Sequence, residues 1–203
     1  MKKYFFLGWV IMMAVPSMAQ AKIDQNLVLQ VQTFLNSIHS LVADFVQTNP
    51  DQSQVEGKIW LCRGGKTMGK MRLDYAPAVG QRIIAKDGDF VIYDLNDQSE
   101  SRYTLDYTPA AFILRPDINL SKDVSVEAIY KNKDSLETTL VPKGDATGQS
   151  LTLYFSLYPN GNLKALQQWI VRDGQNNQTL VQFIPGQVVI NNASLVSDKV
   201  FNP

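Results

Sequence analysis

The chain has 203 residues, with 19 Lys and Arg against 19 Asp and Glu, one histidine and one cysteine. No basic tract is present, so the chain lacks the electrostatic footprint of a nucleic-acid binder and of a protein anchored on an anionic membrane surface. With His39 and Cys62 single, neither an internal disulfide nor a common structural zinc site can be assembled, and no cofactor motif occurs.

Lys2 and Lys3 precede an apolar run from Tyr4 to Val15, and Pro16 to Ala21 is rich in small residues, ending Ala19-Gln20-Ala21. This order reads as a secretory signal cleaved after Ala21. The apolar run, about a dozen residues, is short of the roughly 20 that a membrane span needs. Lys22 at the cleavage point, in place of a cysteine, argues against a lipid anchor. The expected product is an exported domain, residues 22–203. Without Lys2 and Lys3 the basic residues fall to 17 against 19 acidic, a formal charge of −2.

Leu27, Val31, Phe34, Leu35, Ile38 and Leu41 share one helical stripe. With Asp24 as N-cap, a helix of about 16 residues follows. A strand begins over Leu41–Gln47 and ends at the Asn49-Pro50-Asp51 loop. Further strands are predicted over Gly57–Arg63, Lys70–Tyr75, Arg82–Ala85 and Phe90–Tyr93, with Asp87-Gly88 as a tight turn. Thr108 to Arg115 then reads as a short apolar helix, set off by Pro109 and Pro116. Later strands are predicted over Val124–Tyr130, Leu136–Val141, Leu151–Tyr158, Leu163–Val171 and Thr179–Phe183, with a terminal piece near Leu195–Phe201. Pro159-Asn160-Gly161 marks a hairpin.

Roughly ten strands with short connections imply antiparallel order. The predicted fold is mainly β: a single antiparallel sheet curled into an open barrel, with an N-terminal helix and short lid helices in its concavity. A closed lipocalin-like barrel is the main rival.

Alternation places Ile59, Leu61 and Arg63 on one face of their strand, opposite Lys58, Trp60 and Cys62. Met71, Leu73 and Tyr75 oppose Lys70, Arg72 and Asp74, which identifies the second set as the wet side. Phe90 and Ile92 share a face of a later strand. These apolar residues are the predicted cavity wall, and Phe112, Ile113 and Leu114 the predicted lid. A helix of about two turns is unstable alone, which suits a mobile cover. Arg63 at the rim is either an ordinary solvated strand-end arginine or a latch donating to the helical piece near Phe112. Cys62 is expected to pack as a small apolar residue and His39 to lie at the surface. Catalytic patterns are lacking: no Gly-x-Ser-x-Gly elbow, no phosphate-binding glycine loop and no characteristic acid pair.

The chain resembles the periplasmic lipoprotein carrier LolA family. The shared features are Phe45-Val-Gln47, Gly57-x-x-x-Leu61-x-Arg63, Arg72-Leu-Asp-Tyr75-x-Pro77, Asp87-Gly88 with Tyr93-Asp94, Thr108-Pro109 with Phe112-Ile-Leu114, and Asp173-Gly174 before Thr179. Gly64 departs from the family's proline after the arginine, and the loop to Met71 is longer. The resemblance implies a monomeric, non-enzymatic periplasmic carrier on an open barrel. Its cargo would be acylated lipoproteins, taken from a LolCDE-type inner-membrane transporter and passed to a LolB-type outer-membrane receptor. It also implies that Arg63 holds the lid shut. A binder of another lipid or glycolipid on the same scaffold is the alternative. An envelope-stress sensor is a third reading, disfavoured because the additional domain of such sensors is missing.

Overall fold

The computed structural model describes residues 23–108, 110–144 and 147–203. The export signal expected over 1–21 and the flanking Pro109 lie outside the described residues.

Helix α1 (Gln25–Ser37) starts where Asp24 Oδ1 accepts from the backbone N–H of Asn26 at 2.8 Å and Leu27 at 3.4 Å, satisfying two of the donors that every helix start leaves open. It buries Val28, Val31 and Leu35. The helix is shorter than its apolar stripe suggested. Ile38 is already extended (φ −86°, ψ 104°), and Leu41 belongs to the first strand.

Twelve strands form one antiparallel sheet among the described residues. In chain order they are β1 (Ser40–Thr48), β2 (Gln54–Cys62), β3 (Lys70–Tyr75), β4 (Gln81–Lys86), β5 (Asp89–Asp94), β6 (Ser99–Thr104), β7 (Val124–Lys131), β8 (Ser135–Pro142), β9 (Ser150–Leu157), β10 (Leu163–Arg172), β11 (Gln178–Phe183) and β12 (Val189–Ile190). The spatial order is β6-β5-β4-β3-β2-β1-β11-β10-β9-β8-β7, with β12 pairing β1. Edge strands β6 and β7 do not pair, so the sheet curls without closing, and the lipocalin-like alternative is excluded. Register shifts within the β7–β8 and β9–β10 pairs help it bend.

This topology dictates where the chain passes from one edge of the sheet to the other. From β1 the hairpins run outward to one edge at β6, while β7 to β11 return from the other edge to β1. The stretch from 105 to 123 joins edge strand β6 to edge strand β7, and its described residues lie over the concave side, where Leu105, Ala110, Ala111, Leu114, Ile118 and Leu120 join the main core. They include a 3-10 turn (Leu105–Tyr107) and the four-residue helix α2 (Ala110–Ile113).

The sheet faces divide as alternation predicts. Ile59↔Leu73 and Leu61↔Met71 are cross-strand partners on the concave face, and all four are buried in the main core. Lys70, Arg72 and Asp74 lie on the convex face, but that side is not simply wet. The C-terminal segment covers it: Val196 and Phe201 pack with Val42, against Trp60, Cys62 and Val200. Arg72 Nη1 donates to the Val200 carbonyl at 2.9 Å, and Lys70 Nζ contacts Asp198 at 2.7 Å. The strand expected near Leu195–Phe201 is instead two 3-10 turns, Ala193–Leu195 and Asp198–Phe201.

Candidate functional site: an apolar concavity under a bridged lid

Concave-facing residues of the sheet, the buried face of α1 and lid residues Leu105, Ala110, Ala111, Leu114, Ile118 and Leu120 form one continuous core. Within it a small apolar space of about 30 Å³ remains, bordered by Leu35, Ile38, Leu61, Phe112, Ile113 and Trp169 among others. That is room for about two water molecules. In this conformation the concavity is filled by its own side chains.

Arg63 follows directly after β2. Its backbone N–H donates to the His39 carbonyl at 2.7 Å, which extends the strand pairing and turns its side chain inward behind Leu61. The side chain is 6% exposed. Its guanidinium donates to three carbonyls: Nη2 to Leu35 at 2.6 Å, Nε to Ile38 at 3.1 Å, and Nη1 to Ile113 at 3.4 Å. Two of these acceptors belong to the end of α1 and one to the end of α2. Helix C-termini carry partial negative charge and unpaired carbonyls, so a cation is well placed there. Burial pushes the Arg63 pKa down, and the charge of Asp117 opposes the shift. An arginine so far above neutrality stays charged. Arg63 therefore joins the sheet to both helices and is not a solvated strand-end residue.

Neighbouring bonds reinforce the bridge. The Gly69 N–H donates to the Leu114 carbonyl at 2.6 Å. A Cβ at position 69 would lie 2.5 Å from the Cys62 carbonyl oxygen and 3.2 Å from that of Leu114, so this approach requires glycine. Gly64, at φ 143°, occupies a conformation closed to proline, whose φ is fixed near −65°. On the other side, Asn36 Oδ1 accepts from the Ile118 N–H and Asn36 Nδ2 donates to the Ile118 carbonyl, both at 2.9 Å. Gln32 Oε1 accepts from the Leu120 N–H at 2.9 Å. Four residues apart, the two amides lie on one face of α1 and hold the segment after α2.

The predicted wall residues occupy several depths. Ile59, Leu61, Met71 and Leu73 are buried, but of these only Leu61 borders the small apolar space. Phe90 is half-buried against the core, whereas Ile92, also half-buried, stands apart from it. Tyr75 donates through its hydroxyl to Gln47 Oε1 at 2.9 Å and packs edge-on against Phe45. Burial pushes its phenol up to about 12, with the Gln47 hydrogen bond opposing. Phe112 and Ile113 border the small apolar space, and Leu114 is fully buried in the core. Sequence reasoning missed Leu35, Ile38, Gly69, Asn36 and Gln32. Arg63 and Gly69 meet them or the lid through backbone carbonyls, which leave no trace in residue type, but two amides four apart on a predicted helix were a readable signal.

Residues 36–202 match the family described as "Outer membrane lipoprotein carrier protein LolA". The chain belongs to this family. The match begins in the last turn of α1, so most of the helix that Arg63 holds lies outside the LolA region. No curated protein matches the sequence. Among solved structures, an uncharacterized conserved protein from Thermus thermophilus is similar at 9% identity and TM-score 0.48, over 87% of this chain and 91% of that one. A putative outer membrane lipoprotein-sorting protein domain from Vibrio parahaemolyticus shows 9% identity and TM-score 0.49, over 86% and 94%. A LolA superfamily protein from Nitrosomonas europaea shows 13% identity and TM-score 0.42, over 86% and 97%. No described helix is long and apolar enough to cross a membrane.

Proposed function

We propose that this protein is a periplasmic carrier that shields the acyl chains of lipoproteins in its concavity and carries them from the inner to the outer membrane. The supporting observation is the Arg63 bridge: one buried cation ties α1 and α2 over a core that is otherwise apolar. Each acyl CH₂ kept from water is worth about 0.8 kcal/mol, so exposing several long chains would cost tens of kcal/mol. An apolar wall removes that cost without having to match the bilayer.

Because side chains fill the space under α1 and α2, acyl chains need a second arrangement in which these helices are displaced. Arg63 acts as the latch of the closed arrangement, with Phe112, Ile113 and Leu114 on the lid. Ile59, Leu61, Met71, Leu73, Tyr75, Phe90 and Ile92 form the wall that opening extends. Closure hides this wall and limits aggregation. The free energy of opening is subtracted from ligand affinity, which makes onward transfer feasible without a further energy source. An inner-membrane LolCDE-type transporter would load the carrier and a LolB-type receptor, where present, would unload it. No cofactor enters this cycle, and the carrier acts as a monomer after export.

Depletion of the protein tests the proposal directly. Lipoproteins bound for the outer membrane should accumulate in the inner membrane, and normal sorting would refute it. Mass spectrometry of protein purified from the periplasm should find acylated polypeptide. Free lipid or glycolipid alone would favour a different cargo on the same scaffold.

A further inference from the structure

Helix α1 passes into the central strand within two residues. Ser37 ends α1 and Ser40 begins β1, so any displacement of α1 against the sheet has to be absorbed at Ile38 and His39. The backbone groups of this joint are fully accounted for. The Ile38 N–H donates to the Leu35 carbonyl at 3.3 Å, the Ile38 carbonyl accepts from Arg63 Nε, and the His39 carbonyl accepts from the Arg63 N–H. The remaining donor, the His39 N–H, meets the side chain of a residue 152 positions away, Asn191 Oδ1, at 2.7 Å.

Asn191 grips both sides of the joint. Its Oδ1 also accepts from the Ser40 N–H at 3.4 Å, its backbone N–H donates to the Ser40 carbonyl at 2.9 Å, and its Nδ2 donates to the Ser37 carbonyl at 2.8 Å. Ser37 belongs to the helix and Ser40 to the strand, so one side chain spans the angle between them. Its footing lies outside the cover. Just before it, β12 pairs with Leu41 and Val42 of β1. Just after it, Asn192 caps the 3-10 turn that leads to Val196 and Phe201 on the convex face. Asn191 takes φ 57°, a left-handed conformation that asparagine tolerates better than most residues.

We propose that Asn191 is the positioning residue of the Arg63 latch: it sets the angle between α1 and β1 at which the Leu35 and Ile38 carbonyls converge on the guanidinium. This rests on the latch reading and adds what aims the latch. Arg63, buried, holds the joint from within, and Asn191, exposed, holds it from without. The leverage is large. A turn of about ten degrees at the joint swings the far end of α1, about 20 Å away, through roughly 3 Å. With Asn191 in place, an emptied carrier returns α1 to the angle that Arg63 can grip. Water competes for the bonds of an exposed amide, so its loss weakens the latch several-fold without abolishing it.

Hydrogen exchange followed by NMR in Asn191→Gly and Asn191→Asp tests the assignment. Glycine removes the amide but keeps the left-handed backbone accessible. Aspartate retains the acceptor for His39 and Ser40 and loses the donor to Ser37. Exchange of the Arg63 Nε–H, which donates to the Ile38 carbonyl, should quicken about fivefold in Asn191→Gly, the worth of about one hydrogen bond, and by less in Asn191→Asp. The β1 amides from Phe45 to Thr48 should keep their wild-type rates. At the Gly69 amide, Asn191→Gly should add less than about twofold once Arg63→Leu is present, because residues acting through one contact are not additive. An unchanged Arg63 Nε–H, full additivity at Gly69, or equal loss of protection in β1 would each overturn the assignment and leave the latch standing. A Gly69 amide that ignores Arg63→Leu itself would overturn the latch and this proposal together.

Discussion

Replacing Arg63 with leucine removes the donor of three hydrogen bonds while keeping an apolar side chain of useful size. The carbonyls of Ile38 and Ile113 lose their partner in the closed arrangement, whereas that of Leu35 keeps the Ile38 N–H at 3.3 Å. Each carbonyl left dry costs about 1–3 kcal/mol. Two terms offset this loss. Leucine regains about 1.5–3 kcal/mol by burial, and the variant no longer has to desolvate a guanidinium, a cost of several kcal/mol for a buried ion. Ile113, at 3.4 Å, is the weakest of the three acceptors. With two dry carbonyls at the upper end of that cost, about 6 kcal/mol, and the offsets at about 1.5 and ~3 kcal/mol, the balance favours opening by at most about 1.5 kcal/mol, or about tenfold in the open population. Native-state hydrogen exchange should show this at the Gly69 amide, whose acceptor is the Leu114 carbonyl of the lid. Amides of the central strand β1 should be unaffected at the same pH and temperature. An unchanged Gly69 amide would mean that Arg63 does not set the closing equilibrium. Equal loss of protection in β1 would mean that the substitution destabilises the whole fold and that the bridge is structural only.

Three other sites give independent checks. A Cβ on Gly57 would lie 2.5 Å from Phe45 Cζ and 2.9 Å from the Asp74 carbonyl, so Gly57→Ala should destabilise by about 1–3 kcal/mol in urea unfolding. Adding Phe45→Leu should recover part of that loss; strict additivity would argue against the clash. Burial raises the pKa of the Asp74 carboxyl, but hydrogen bonds from Arg72 and Arg82, with their charges, outweigh it and hold the group below its usual range. A folded pKa below the unfolded one contributes stability above about pH 4 that is lost as pH falls through the folded value. Asp74→Asn should lower Tm at pH 7 and flatten the wild-type fall in Tm below about pH 4, whereas parallel acid limbs would contradict the assignment. Asn36→Asp keeps the acceptor for the Ile118 N–H and sets a carboxylate against the Ile118 carbonyl, at a cost of about 1–2 kcal/mol. Faster exchange at Ile118 with Gly69 unchanged is the expected pattern, and unaltered Ile118 exchange would remove the amide pair from the account of closure.

Sequence legibility follows how each element earns its burial. Strand β3 could be delimited to the residue because Met71, Leu73 and Tyr75 alternate with charged neighbours across a half-buried sheet. Strand β6 left no such signal: all of Ser99–Thr104 is exposed, and it is held to β5 by backbone pairing and the exposed Arg102–Asp89 pair. The stripe of α1 overran because Ile38 and Leu41 continue the helical spacing while already serving the concave face as extended chain. Near the C-terminus, Val196, Val200 and Phe201 suggested a strand, yet they bury their side chains from 3-10 turns on the convex face. Arg63 could be placed on the inner face by alternation. Its partners could not be read, because they are carbonyls brought together by the ends of two helices.

Two polar seams hold the cover, and they differ in what opening would expose. Asn36 and Gln32 fasten α1 to residues 118–120 through neutral amides. Arg63 and Gly69 fasten the sheet end to both helices. Breaking the amide seam merely exchanges neutral hydrogen bonds for hydration. Breaking the Arg63 seam also returns a buried guanidinium to water, recovering desolvation free energy that offsets the lost bonds. The charged seam is thus the less costly one to part, despite its three short-range contacts. In the proposed opening, the intact amide seam keeps α1 and the segment after α2 together. A buried arginine without a carboxylate partner in contact is poorly optimised for stability, but it suits a joint that must both close and release.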